Sequence, residues 1–153
     1  MKHTIFLLIL FFFSIHNGIC QVFIFQPEDP LGKDAHVLEE SPDDNYGSSN
    51  LLYLGGTINA RVNLFIEFDL SSITPGTKIN TARLDFYVDG GNGWYYYDYG
   101  IYKVGSVWDE STITWNNQPS DITIIDTVST YDWPYYSWNS IHGLESLVQE
   151  WVV

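Results

Sequence analysis

The 153 residues fit one domain of ordinary size, 45% apolar and 17% aromatic, with a formal net charge of −13 at pH 7. Its few cations, Lys2, Lys33, Arg61, Lys78, Arg83 and Lys103, are scattered, so no basic footprint for DNA or RNA exists and polyanions are repelled at long range. Cys20 is the only cysteine, which excludes a disulfide framework.

The start is set apart from the rest. Lys2 precedes an unbroken apolar run from Ile5 to Phe13, followed by polar SIHNGICQ. A basic head, an apolar centre too short to span a bilayer and a polar tail describe a secretory signal peptide. Gly18 and Cys20 occupy the small-residue positions, so cleavage is expected after Cys20, leaving residues 21–153 as a single cysteine-free domain, secreted or held at the cell surface. Retention and lipidation of Cys20 is the alternative, and bulky Ile19 argues against it. No later apolar run is long enough for a membrane span.

The remainder reads as short strands. Val22–Phe25, Ala35–Glu39 and Leu51–Leu54 come first, the last two separated by the turn-rich SPDDNYGSSN. In VNLFIEFDL, residues 62–70, Val62, Leu64, Ile66, Phe68 and Leu70 alternate with Asn63, Phe65, Glu67 and Asp69, which predicts a strand with the first set buried. SSITPGTKIN follows, with Pro75-Gly76 marking a turn. ARLDFYV, residues 82–88, repeats the alternation with Ala82, Leu84, Phe86 and Val88 inward and Arg83, Asp85 and Tyr87 outward. If these two strands pair, Arg83 and Glu67 meet across the ladder. Gly100–Val107, Thr112–Trp115 and Ile122–Val128 complete the strands. Leu144, Leu147, Val148 and Trp151 then fall at helical spacing and predict one short C-terminal helix. The expected fold class is all-β, a jelly-roll-type β-sandwich with that helix appended.

Three stretches are candidates for function. WDESTITWNNQPS, residues 108–120, looks chemical but reads as a corner of the sheet. Ile113 and Trp115 share a strand face and are expected in the core, Asp109 and Glu110 point apart, and Asn116, Asn117 and Gln118 suit turn backbone groups. The better ligand platform is GNGWYYYDYGIY, residues 91–102, with Trp94, Tyr95, Tyr97 and Tyr99, joined by YDWPYYSW, residues 131–138, with Trp133 and Tyr135. Aromatic planes stack on the C–H faces of sugars, while Asp, Asn and Tyr meet hydroxyls. In these loops alternate rings are expected inside, Trp138 among them.

Asp34 and Asp44 offer hard oxygen ligands for a structural calcium ion, although their spacing matches no defined calcium loop. Catalysis has no motif: no Gly-x-Ser-x-Gly, no His-Glu-x-x-His, and His36 and His142 lack a placed nucleophile. The expectation is a protein that is not an enzyme.

The run FDLSSITPGTKINTARLDFYV (68–88), with Trp108-Asp109-Glu110, TITWNNQP, LVQEW and the earlier DAHV, NYGSS and LLYLG, resembles the DNRLRE, or disaggregatase-related, domain family, which overlaps carbohydrate-binding module family 96. The resemblance covers roughly residues 33–153. It implies a β-sandwich in secreted bacterial proteins, beside polysaccharide-degrading or surface modules, some of whose members bind alginate. Such domains usually continue past the LVQEW segment, so a domain truncated at its C-terminus, with an unfilled sheet edge and further catalytic or sorting domains beyond, is the expectation here. The shortage of Arg and Lys favours a neutral polysaccharide over a uronate polymer. The resulting expectation is a non-catalytic extracellular module that anchors a secreted protein to polysaccharide, the alternative being a structural or adhesive surface module.

Overall fold

The computed structural model describes residues 21–27, 32–57, 60–90, 98–129 and 135–152. Residues 1–20, where a leader was expected and which include Cys20, lie outside them. The described elements, in chain order, are β1 (Gly32–Leu38), β2 (Gly55–Thr57), β3 (Ala60–Phe68), β4 (Leu84–Val88), β5 (Asp98–Val104), β6 (Ile122–Ser129), β7 (Ser137–Ile141) and α1 (Glu145–Trp151). All pairings are antiparallel and form three sheets, ordered β1-β3-β2, β4-β7 and β5-β6. The fold is all-β, of sandwich type, with one short helix.

The long alternating run forms the central strand β3, and its alternation holds with one exception: Phe65, expected outward, is buried, while Arg61, Asn63 and Glu67 on its side are exposed. Ala35 of β1 is the register partner of Phe65, and both are buried. They join Val37, Trp108 and Ile113 in the core, with Val104 and Trp115 packed against it. Val62, Leu64, Ile66 and Phe68 are half-buried along the strand, as the alternation predicts. Phe65 owes its burial to a long-range cover: the Trp108 ring sits 5.7 Å from its own. Periodicity identifies two faces of a strand; it does not say which one receives a distant segment.

Strand pairing also overturns the expected Arg83–Glu67 contact. β3 lies between β1 and β2, whereas β4 pairs with β7. Glu67 pairs instead with Lys33 at 3.1 Å, and Arg83 with Asp85 at 3.0 Å. Leu51–Leu54 and Val22–Phe25 are not strands, and neither is Thr112–Trp115, which is irregular and turn-like. The helix is present, with Leu147 buried and Trp151 exposed.

Local chemistry explains the connections. Thr77 N–H donates to Thr74 C=O at 3.0 Å around Pro75-Gly76, and Gly76 has φ +79°. Proline at the second position and a left-handed glycine at the third make a type II turn. The strandless stretch beyond it is held by α1: the Gln149 side-chain amide accepts from Ile79 N–H at 2.9 Å and donates to Thr77 C=O at 3.1 Å. One amide thereby takes the place of a missing ladder partner.

Candidate functional site

The 108–118 segment is a structural corner. Asn45 Nδ2 donates to the carbonyls of Glu110 and Ile113, both at 2.8 Å. Asp34 N–H donates to Glu110 Oε1 at 3.0 Å, and Asn63 Nδ2 to Gln118 Oε1 at 2.7 Å. Within the turn, Asn117 Oδ1 accepts from Thr114 N–H at 2.7 Å and its Nδ2 donates to Thr112 C=O at 2.9 Å. Asp109 accepts from both the hydroxyl and the N–H of Ser111, and the Ser111 hydroxyl bond is the main cause that holds its carboxyl below the usual range. A β-carbon on Gly47 would lie 1.9 Å from the Glu110 carbonyl oxygen, so backbone meets backbone there.

An open cleft of about 570 Å³ adjoins this corner, lined with Lys33, Glu67, Asp69, Asp109 and Glu110 among others. Its carboxylates are already engaged. Glu67 pairs with Lys33, Asp69 accepts from Ser71 N–H at 2.8 Å, and Asp109 and Glu110 serve the bonds above. Asp34 is pushed above the usual carboxylate range by burial and then by the neighbouring Glu110 charge. Among the described residues no group of three or more His, Cys, Asp or Glu side chains gathers as a metal site, so Asp34 and Asp44 have no such cluster around them.

A different surface carries exposed aromatic chemistry. In the β4–β7 pair, Leu84, Phe86 and Val88 turn inward while Asp85 and Tyr87 turn outward, as the alternation predicts. The register sets Tyr87 opposite Trp138 and Asp85 opposite Ser140. Trp138, expected inside, is 72% exposed, and Tyr87 is 49% exposed. The strand's phase is set by Asn139, which is buried and whose amide donates to Ser137 C=O at 3.1 Å, so its two neighbours face out. The Tyr87 and Trp138 rings meet edge to face with centroids 5.8 Å apart, a favoured aromatic geometry that holds both rings in place.

Beside this pair lies a fixed polar cluster. Asp85 Oδ1 accepts from the Ser140 hydroxyl at 2.5 Å and Oδ2 from Arg83 Nε at 3.0 Å. The Ser140 bond is the main cause that holds the Asp85 carboxyl below its ordinary value, with Arg83 and His142 adding to it. At the other end of the face, Tyr136 is 73% exposed with φ +55°, and its hydroxyl lies 3.5 Å from where a β-carbon on Gly90 would sit. A tyrosine in the left-handed region costs about 1–2 kcal/mol, and Tyr136 N–H donating to Val88 C=O at 2.6 Å helps offset that cost.

Of the residues singled out from sequence, Trp94, Tyr95, Tyr97 and Trp133 lie outside the described residues. Tyr135 is 47% exposed, and Tyr99 is half-buried in β5 with its hydroxyl 3.2 Å from the Gly55 β-carbon position. The described strand ends around these loops are nevertheless informative. Val88, the end of β4, pairs with Ser137, the start of β7; Asp98, the start of β5, pairs with Ser129, the end of β6. Both aromatic connections therefore run between the same two sheets, from the same ends. Sequence reasoning missed the Tyr87–Trp138 pair, although the outward parity of Tyr87 was a usable signal.

The outer face of β4–β7 thus displays paired, exposed aromatic rings beside an anchored carboxylate. The chain belongs to carbohydrate-binding module family 96, whose model matches residues 29–142, a span that takes in all seven described strands. No curated protein and no solved structure matches it.

Proposed function

We propose that this protein is a non-catalytic extracellular module that holds a secreted bacterial protein on polysaccharide, and that the outer face of β4–β7 is its contact surface. The observation that carries this reading is the exposed, mutually braced Tyr87–Trp138 pair on a regular sheet. Sugar C–H faces stack on such rings, and each buried aromatic contact removes apolar area from water. The aromatic-rich loops with Trp94, Tyr95, Tyr97, Tyr99, Trp133 and Tyr135 are assigned to ligand contact in the same reading, because both connect the β4–β7 pair to the β5–β6 pair along the chain. The leader-like N-terminus supports export. The net charge of −13 and the pairing of Arg83 with Asp85 support a neutral polysaccharide. The acidic cleft supports binding without catalysis, since its carboxylates hold the fold.

Affinity electrophoresis through gels containing soluble glycans tests the reading. Wild-type protein is expected to be retarded by at least one glycan, and Trp138→Ala to migrate as in a blank gel. Unchanged retardation of that variant would remove β4–β7 as the contact surface. A second reading, a structural or adhesive module, is favoured by one observation: β6 exposes Ile122, Ile124 and Ile125 at 46%, 59% and 39%. Concentration-dependent self-association with no glycan retardation would favour that reading instead.

A further inference from the structure

We propose that Asp85 is the specificity-determining acceptor of this face, taking two hydrogen bonds from adjacent hydroxyls of a neutral sugar while the aromatic pair stacks the ring beside it. The inference rests on the polysaccharide reading and deepens it to a ligand class: glycans with a free vicinal diol and no carboxylate.

The geometry supplies the argument. Asp85 and Tyr87 are two residues apart on one strand, as are Ser140 and Trp138 on the other, and all four face the same way. At roughly 3.3 Å per residue the carboxylate sits about 7 Å along the sheet from the aromatic pair. Hydroxyls of a ring stacked there, or of the next ring in the chain, fall within that span.

The carboxylate is both fixed and incompletely used. Ser140 and Arg83 each occupy one lone pair, on opposite oxygens. A carboxylate offers about four lone-pair sites, two on each oxygen. Against the bonds made by the described residues, each oxygen thus keeps one acceptor site, enough for two hydroxyl protons. The side chain is 41% exposed, so a ligand can reach it. Its two anchors fix the orientation before any sugar arrives, which lowers the ordering cost of binding.

The same anchoring sets the sign of the selectivity. An ionised Asp85 accepts and does not donate, so a uronate carboxylate placed there meets like charge with no proton between. Arg83 lies on this face, and its Nε is directed to Asp85. This separates Asp85 from the arrangement a polyuronate requires, in which guanidinium groups face the ligand in pairs with its carboxylates.

The test uses the full chain and five named probes in affinity electrophoresis: galactomannan, arabinoxylan and mixed-linkage glucan as neutral glycans, alginate and polygalacturonate as uronans. Trp138→Ala reports on the surface, Asp85→Asn on the acceptor, and Asp85→Ser is carried in parallel so that one misfolded variant does not decide the result. Thermal unfolding of each verifies the sheet. Retardation by a neutral glycan, abolished by W138A and weakened roughly tenfold by both Asp85 variants, is the expected result; a lost hydrogen bond to a charged group has about that effect. If W138A abolishes retardation and the Asp85 variants do not change it, the surface stands and the acceptor role falls. If only uronans retard the protein, and D85N is retarded more strongly than wild type, Arg83 meets the ligand and the proposal is overturned with the surface intact. Retardation by none of the five overturns both the acceptor role and the polysaccharide reading.

Discussion

Two regions of this protein use the same residue types to opposite ends. The corner at 108–118 and the β4–β7 face each combine tryptophan with Asp, Ser, Asn or Gln. In the corner, Trp108 is 8% exposed, Ile113 2%, and the amide side chains are turned onto backbone groups. On the face, Trp138 is 72% exposed, and Asp85 and Ser140 bind each other and leave acceptor capacity over. The two regions thus differ in how deeply their rings are buried and in whether their polar side chains turn onto backbone groups or stay at the surface. Composition alone does not distinguish them.

The sharpest way to break this comparison is to empty the corner. Trp108→Ala is expected to lose about 3–5 kcal/mol of stability by urea denaturation, with glycan retardation of the remaining folded protein unchanged. A loss of only a few tenths would mean that the corner does not seal the core. Gly47→Ala comes next, at about 1–3 kcal/mol, because the new methyl meets the Glu110 carbonyl at a distance that only a backbone shift relieves. Wild-type stability in that variant would show that the 45–49 turn and the corner do not pack as described.

A smaller effect is expected from pH. His36 is 1% exposed, stacks on Tyr46 at 4.7 Å and meets Tyr53 edge-on at 5.0 Å, and neither ring nitrogen has a hydrogen-bond partner among the described residues. Burial lowers its proton affinity from the ordinary value of 6.5. Asp34 lies on its own strand two residues away, and the two tyrosine rings are the titratable groups stacked on it. Because the unfolded chain binds the proton more readily, the His36 contribution is complete above 6.5 and declines as pH falls from there toward the lower folded value. His36→Phe is expected to flatten the stability profile between about pH 7 and pH 5. An identical slope in the variant would assign the acid sensitivity elsewhere. The smallest expected stability change is at Trp138→Ala, within about 0.5 kcal/mol of wild type, while glycan retardation is lost. A large destabilisation there would mean the indole is part of the core and would collapse the contrast between the two regions.

Much of the architecture was readable from the residues. The alternation in 62–70 and 82–88 marked β3 and β4, Pro75-Gly76 marked the turn, and the helical spacing from Leu144 marked α1. The corner's role was also readable, because Asn-Asn-Gln-Pro suits turn backbone, although Asp109 and Glu110 lie in a tight turn and not in the extended chain that the sequence reading assumed. The site was less legible. Tyr87 was placed outward by parity, yet Trp138 was placed inside because a tryptophan in a mixed aromatic run carries no phase of its own. Its phase came from buried Asn139, a residue that hydrophobic patterning assigns to the surface.

Local sequence thus determined which segments extend, where they turn and which side chains share a face, since those follow from backbone sterics and a period of two. Tertiary structure decided which residues patterned as outward were covered after all: Phe65 of β3 under Trp108, and Asn139 of β7. The physical reason is range. Pairing β4 with β7 and draping 108–118 over β1 and β3 join residues some 50 to 75 positions apart, and no periodicity within a strand encodes which distant partner will arrive.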